Sequence, residues 1–246
     1  LAGFVACGST GEAAALDEDE QLAVLATVLE TAGGLPVVMG LSGYHLGQTV
    51  AWVRKISSQP VAGLLVPPPH YIRPSQAGLL QWFGEIADAS AVPVIVYDIP
   101  YRTGVTIARE TLLELAQHPN IRAVKDCGGD AAKTQSLIAD GRLQVLAGED
   151  AQVFSTVALG GSGAIAACAH VHTREFAQVV RLLQAGDLVA ARAAWQPLPD
   201  VIAAMFAEPN PASIKAALAQ QGWITNELRA PMLKARLPAY VAPVTA

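Results

Sequence analysis

Long apolar runs are missing from this sequence. Although 52% of its residues are hydrophobic, glycine, proline or polar residues interrupt every stretch before it reaches the roughly 20 residues that cross a bilayer. No basic segment followed by an apolar one opens the chain, so no secretory leader is expected. Cysteine is scarce as well. Cys7, Cys127 and Cys168 are odd in number and form no CxxC pair, which favours a reduced, cytoplasmic setting over a disulfide scaffold. Charge is sparse: 15% of residues are charged and the formal net charge is −5. Coating a nucleic acid needs a basic surface, so neither nucleic acid nor membrane is an expected partner. Of the five histidines only His170 and His172 are close in sequence. No cysteine or carboxylate pattern accompanies them, so no metal is expected. Solenoid repeats and low-complexity linkers are also absent.

What the 246 residues do contain is enough for one large domain with a sizeable core. Short β-branched runs alternate with helical stretches. The runs are Gly3–Cys7, Val37–Gly40, Gly63–Val66, Val92–Tyr97, Ile121–Lys125, Leu143–Ala147 and Ser162–Ala166. Each is continuously apolar, as strands buried on both faces of a parallel sheet are. Asp17 to Glu20 reads as a capping box before an apolar stripe at Leu22, Leu25, Leu29 and Ala32, with Gly33 and Gly34 ending the helix. Pro74–Ser90 and Arg109–Gln117 read as further helices. Regular alternation implies a parallel α/β fold. Seven strand–helix units are countable, whereas a closed barrel of this class has eight. The expected fold is therefore a (β/α)8 TIM barrel lacking its first βα unit, of about 30 residues, ahead of Leu1. An open doubly wound sheet is the competing architecture. Residues 1–171 would form the barrel, strands two to eight, and 172–246 a C-terminal helical region.

Barrel chemistry sits at the C-terminal ends of strands. The first run ends in Gly8-Ser9-Thr10-Gly11-Glu12, a tight turn whose hydroxyls and N–H groups suit a small carboxylate. An ordinary structural turn would look the same. Another run ends in Tyr97-Asp98-Ile99-Pro100-Tyr101-Arg102. Tyr97 there can relay protons, and Arg102 can hold a carboxylate through its planar fork. Lys125 closes the next apolar run. In a desolvated barrel mouth a lysine's pKa falls, which frees the amine as a nucleophile toward a ketone. The bland alternative is a lysine reaching solvent or pairing with Asp126. Tyr97 and Lys125 end consecutive strands, which lie ~5 Å apart in a sheet, and that joint placement favours chemistry.

The ordered set GSTGE at 8–12, YIRPSQAGL at 71–79, YDIPYRTG at 97–104, AVKD at 123–126, GED at 148–150, GGSGAI at 160–165, EPNPASIKAAL at 208–218 and RAP at 229–231 resembles the dihydrodipicolinate synthase and N-acetylneuraminate lyase superfamily. The resemblance covers nearly the whole chain. It implies that Lys125 forms a Schiff base with pyruvate and that Tyr97 relays protons. Ser9 would link Tyr97 to a tyrosine of a neighbouring subunit, matching Tyr71. Thr10, with Gly8 in the same turn, would bind the pyruvate carboxylate, and Ile165 would sit against the ketoacid. The enamine then attacks an aldehyde, with proton transfers typically worth about 10²–10⁴-fold.

Arg102, Arg73 and the EPNPASIK segment resemble synthases that take L-aspartate semialdehyde to 4-hydroxy-tetrahydrodipicolinate in lysine biosynthesis. Ser9 in place of threonine, Asp98 in place of asparagine and the Cys127-Gly128-Gly129 loop depart from that pattern. A retro-aldol lyase acting on N-acetylneuraminate or another 2-keto acid is the second enzyme reading. A non-catalytic ketoacid-binding or scaffold homologue is the reading of another class. No cofactor beyond the covalent imine is implied, and the resemblance points to a homodimer or homotetramer. Positions matching the family's lysine-inhibition site carry Ala13, Glu18, Gln21, Tyr44, Gln48 and His70, which implies weak or absent inhibition. The cysteines read as small buried hydrophobes, Glu12 as a strut for its loop, and Pro67-Pro68-Pro69 as a stiffener for the loop carrying Tyr71.

Overall fold

A computed structural model describes residues 1–235. Seven parallel strands form one sheet in sequence order: β1 (Phe4–Ala6), β2 (Val37–Gly40), β3 (Gly63–Val66), β4 (Val94–Asp98), β5 (Ile121–Asp126), β6 (Gln144–Ala147) and β7 (Gly163–Ala164). The helices between them are α1 (Glu18–Thr31), α2 (Leu46–Ser57), α3 (Gln76–Ala89), α4 (Pro100–Thr103), α5 (Arg109–Leu115), α6 (Ala131–Asp140) and α7 (Val153–Ala158). After β7 come α8 (Thr173–Gln184), α9 (Leu188–Trp195), α10 (Leu198–Met205) and α11 (Ala212–Gln220). None of the described helices is long and apolar enough to cross a membrane.

All seven expected strands form, with small shifts at their ends. β4 starts at Val94 rather than Val92 because Pro93 has no N–H for the ladder, although its carbonyl still accepts from Leu64 at 2.9 Å. The same strand runs one residue further than expected, to Asp98, whose carbonyl accepts from Cys127 N at 2.8 Å. β7 is shorter than expected, and bonds from Ser162 N to Val145 O and from Ile165 N to Ala147 O flank it. The capping box of α1 is present: Glu20 N donates to Asp17 Oδ1 at 2.8 Å, and Asp17 N donates to Glu20 Oε2 at 3.1 Å.

Alternation along each strand sorts its side chains into two cores. Leu64, Val66, Val94, Val96 and Val124 pack outward against Val53, Ile56, Leu79, Phe83 and Leu112 of the helix layer. Leu65, Tyr97 and Cys127 pack inward, with Val5, Val38, Ile95 and Ile165 beside them. Residues of β1, β5 and the segment after β7 line one common chamber, so the sheet is curled around it. A third cluster joins Ala147, Val153 and Cys168 to Phe176, Val179, Leu198, Val201 and Met205 of the C-terminal helices. The outer edges of β1 and β7 carry no strand partner among the described residues. A groove of about 400 Å³ lies there, lined by Leu1 and Ala2 on one side and Gly163, Ala164 and Phe176 on the other.

Because Tyr97 and Lys125 face inward, their successors Asp98 and Asp126 face the helices. Both are buried. Asp98 pairs with the equally buried Lys133 of α6 at 2.5 Å and accepts from Ile107 N at 3.3 Å. Asp126 accepts from Thr134 Oγ1 at 2.5 Å and Gly128 N at 2.8 Å. These bonds tie the ends of β4 and β5 to α6. Burial pushes the Asp98 carboxyl above its usual range; Lys133 and the Ile107 N–H pull it back, while the Asp126 charge adds to the rise. Removing one partner leaves an uncompensated buried charge. Lys133→Met is therefore expected to lower unfolding free energy by about 3–5 kcal/mol in urea titrations. The Asp98→Asn/Lys133→Met double variant, which has no orphaned charge, is expected to recover a large part of that loss.

Candidate active site

β4 and β5 pair with Tyr97 opposite Lys125. The Lys125 Nζ lies 4.2 Å from the centroid of the Tyr97 ring. None of the ion pairs among the described residues involves Lys125. The alternative pairing with Asp126 does not occur, because adjacent strand residues face opposite sides and Asp126 is held by Thr134 and Gly128. Burial drives the Lys125 amine below its ordinary range. The Arg102 charge adds to that, and the Asp150 and Glu149 carboxylates oppose it.

The chamber around this amine measures about 340 Å³. Gly8, Ser9, Thr10, Tyr97, Arg102, Lys125 and Ile165 all line it, so seven of the expected site residues meet in one cavity. Tyr71 does not join them. It is 94% exposed, in left-handed conformation at φ 72°, and outside the lining of its own chain's chamber. Its loop is anchored where Trp82 Nε1 donates to Pro67 O at 3.0 Å and His70 N donates to Gly43 O at 3.2 Å. A second cavity, of about 520 Å³, lies on the other side of Ser9 and Tyr97, with Ser42, Pro67 and His70 in its wall.

Burial pushes the Tyr97 hydroxyl above its usual range, and the neighbouring Ser9 hydroxyl works against that. Tyr97 therefore stays protonated and can donate as well as accept. In the turn after β1 only part of the expected N–H set is open. Gly11 N donates to Gly8 O and Glu12 N to Ser9 O, so those two amides close the turn itself. The Ser9 and Thr10 amides have no partner among the described residues, which leaves them, with the two hydroxyls, for an anion. Glu12 is held at φ 56° as the expected strut: it binds Lys215 Nζ at 2.5 Å and accepts from Arg229 N at 2.8 Å.

Sequence reading left several lining residues without a role. Asn210, whose Nδ2 donates to Thr10 Oγ1 at 2.9 Å, brings the segment ahead of α11 over the mouth. Its carbonyl accepts from Arg102 Nη2 at 3.5 Å. Phe206, Ile214, Lys215 and Leu218 come from the same C-terminal region, and Tyr101 and Glu149 from the strand ends. The EPNPASIK and GED segments are the signals for these positions, but neither gives a direction or a partner. Cys127 is buried, and burial drives its thiol well above the ordinary range, so it is no thiolate nucleophile at neutral pH. Cys7 is likewise buried and pushed up to about 11.

Gly148 stands at the tightest point of the site. A Cβ there would collide with Cys127 Sγ and come within 2.9 Å of Lys125 Cγ. Gly148→Ala is therefore expected to displace the lysine stem. Misplacing a reacting group by an ångström costs on the order of 100-fold in rate. Turnover is expected to fall by that amount while circular dichroism stays that of the parent.

The residue pattern and this geometry have counterparts among known proteins. Residues 1–241 match the dihydrodipicolinate synthetase family. The chain is 38% identical over 239 residues to the 4-hydroxy-tetrahydrodipicolinate synthase of Sorangium cellulosum, which takes in 96% of this chain and 79% of that protein. Its backbone is similar to that of dihydrodipicolinate synthase from Aquifex aeolicus, with TM-score 0.91 and 30% identity over 95% of this chain and 81% of that one. It is equally similar to the synthase from Acinetobacter baumannii complexed with pyruvate, with TM-score 0.91 and 29% identity over 94% of this chain and 81% of that one. Since the family match spans residues 1–241 and the likeness in sequence and in backbone covers 95% or more of this chain, it belongs to the dihydrodipicolinate synthetase family.

Proposed function

We propose that this chain condenses pyruvate with L-aspartate semialdehyde through an imine on Lys125, giving 4-hydroxy-tetrahydrodipicolinate. The observation that carries the reading is the desolvated Lys125 amine, 4.2 Å from the centroid of the Tyr97 ring, in the chamber that Thr10 and Arg102 also line. The name of the Sorangium relative and the pyruvate complex of the Acinetobacter one support it. The neutral amine adds to the pyruvate ketone, and water leaves as Tyr97 supplies its proton. Thr10 and the Ser9 and Thr10 amides receive the pyruvate carboxylate, with Gly8 giving the turn its backbone freedom and Ile165 packing against the ketoacid. Loss of a C3 proton gives an enamine whose carbon attacks the aldehyde, while Arg102 holds the aldehyde's carboxylate. The aldehyde partner's amine then bonds to the imine carbon and displaces Lys125, which closes the ring and frees the enzyme. No cofactor enters these steps.

We further propose that Tyr71 of a second copy reaches the Ser9–Tyr97 pair, so that the working form is a homodimer or homotetramer. The near-complete exposure of Tyr71 and the cavity beside Ser9 support this. One more parallel strand, in our reading, fills the groove between β1 and β7 and completes a barrel of eight. Residues 1–171 then make the barrel wall and 172–246 a helical cap, of which 236–246 lie outside the described residues.

Incubation with pyruvate and borohydride, followed by peptide mass spectrometry, is expected to find a reduced adduct on Lys125. Its absence would remove the mechanism. Trapping should accelerate as pH rises, because the neutral amine is the nucleophile. The midpoint is expected below the ordinary lysine value of 10.5, since burial lowers the Lys125 pKa. Free lysine is expected to inhibit weakly or not at all. Glu18, Gln21, Tyr44 and Gln48 do line a small common cavity, and half-inhibition at submillimolar lysine in a steady-state assay would refute that expectation.

A further inference from the structure

Cys127 opens the loop that departs from the synthase pattern, and it lies two residues beyond Lys125. Strand alternation turns it to the same inward face, where it is buried and packs with Leu65, Tyr97 and Ile99. Backbone bonds fix it between two strand ends. Cys127 N donates to the carbonyl of Asp98, the neighbour of Tyr97, at 2.8 Å. Gly148 N, next to Glu149, donates to Asp126 O at 2.9 Å. Cys127 Sγ and Lys125 Cγ both border Gly148. The thiol thus lies between the tyrosine of β4 and the carboxylate that follows β6.

Side-chain hydrogen bonds join these groups in one direction. The bond from Ser9 favours the anionic form of Tyr97, so Ser9 is the donor to it. The bond with Tyr97 favours the anionic form of Cys127, so the tyrosine hydroxyl donates to Sγ. The bond with Glu149 opposes that form, so the thiol donates to the carboxylate. Donors therefore run from Ser9 to Tyr97 to Cys127 and end on Glu149. The other two carboxylates of the chamber lie off this line. Glu12 holds Lys215 Nζ, and Asp150 accepts from Cys168 N at 2.6 Å and Ala167 N at 3.1 Å. Burial holds both the tyrosine hydroxyl and the thiol above their usual ranges, so a free anion on either is disfavoured.

We propose that Cys127 relays protons between Tyr97 and Glu149, so that Glu149 stores the proton that leaves and re-enters the reacting centre. The inference rests on the proposed condensation and supplies its proton acceptor. Lys125 sheds an ammonium proton before it attacks the ketone, the leaving water takes a proton up, and C3 releases one as the enamine forms. A proton that reaches the Tyr97 oxygen displaces the phenolic proton to Cys127 Sγ, and the thiol proton passes to a Glu149 oxygen. At the C3 step the C–H electron pair becomes the enamine double bond and the C=N pair returns to nitrogen. The positive charge of the iminium and the negative charge of the carboxylate disappear together. The reverse transfer protonates the leaving water and, later, the aldehyde oxygen. Tyr97 and Cys127 each gain a proton as they lose one, so neither becomes a buried anion. Cys127 and Glu149 touch no substrate in these steps; they act through Tyr97.

The test follows exchange of the pyruvate methyl protons with deuterium oxide by proton NMR, with no aldehyde present. It compares the parent with Cys127→Ala, Cys127→Ser, Glu149→Gln and the Cys127→Ala/Glu149→Gln double variant. Borohydride trapping after prolonged incubation with saturating pyruvate accompanies each, and it is expected to label Lys125 in all of them. Exchange should fall about 100-fold in Cys127→Ala and in Glu149→Gln. The double variant should fall no further than either single one, as members of one chain do. Cys127→Ser should stay within about tenfold of the parent, because a hydroxyl both accepts and donates. A side chain that only filled space would give the opposite order, since burying serine costs more than burying alanine. Exchange at the parent's rate in Cys127→Ala, serine no better than alanine, losses that multiply in the double variant, or a parent that traps pyruvate without exchanging its methyl protons would each overturn the relay. A parent that traps no pyruvate on Lys125 is a separate result, and it overturns the condensation together with the inference built on it.

Discussion

The parallel register of β4 against β5 governs the chemistry of this chain, because it sets Tyr97 beside Lys125 and Asp98 beside Asp126 in a single alignment. A slip of one residue would exchange the two faces. Lysine and tyrosine would then meet the helix layer, and two carboxylates would enter the chamber. The alignment is protected on the outer face. Asp98 is held by Lys133 and Ile107, and Asp126 by Thr134 and Gly128. The polar bonds under the sheet therefore serve the reacting groups above it, without touching them.

Desolvation does the rest. The interior wall is made of Leu65, Val5, Ile95 and Ile165, and it withdraws water from the lysine amine and the tyrosine hydroxyl together. Burial raises the tyrosine pKa and lowers that of the lysine, since in each case it disfavours the charged form. The shifts run in the direction that favours a neutral amine and a protonated phenol. The C-terminal helices contribute by covering the mouth. Asn210 bonds Thr10, and Lys215 reaches Glu12, so the turn that receives the carboxylate is set partly by residues at the far end of the chain.

How much of this is legible in the sequence depends on the range of the interaction. Strands buried on both faces announce themselves as apolar runs, which is why all seven were read from the residues, and Asp17 and Glu20 fulfil a local rule three residues apart. Lys125 and Tyr97 were legible because strand ends carry the chemistry of such folds. Lys133 was not. Nothing in the residues around it marks Lys133 as buried, and its partner Asp98 lies 35 residues earlier. The bond between Asn210 and Thr10 spans 200 residues, and that between Lys215 and Glu12 spans 203; no periodicity or cap encodes either. Free backbone donors in the GSTGE turn were over-read, since Gly11 and Glu12 turn their amides back into the turn.

The chamber's three carboxylates differ in the partners that the fold gives them. A carboxylate that accepts two backbone N–H groups, as Asp150 does, has its lone pairs aimed by the fold and little left for a ligand. A carboxylate bound to a lysine, as Glu12 is, has its charge neutralised before any substrate arrives. Composition cannot tell these from Glu149, because all three are acids in loops after strands. Only the partner each one has met in the folded chain does so. The asymmetry also bears on catalysis. An anion near the lysine favours its charged form, and here burial outweighs that pull, with the Arg102 charge acting on the same side as burial. The Arg102 charge thus offsets part of the pull that Asp150 and Glu149 exert on the Lys125 amine.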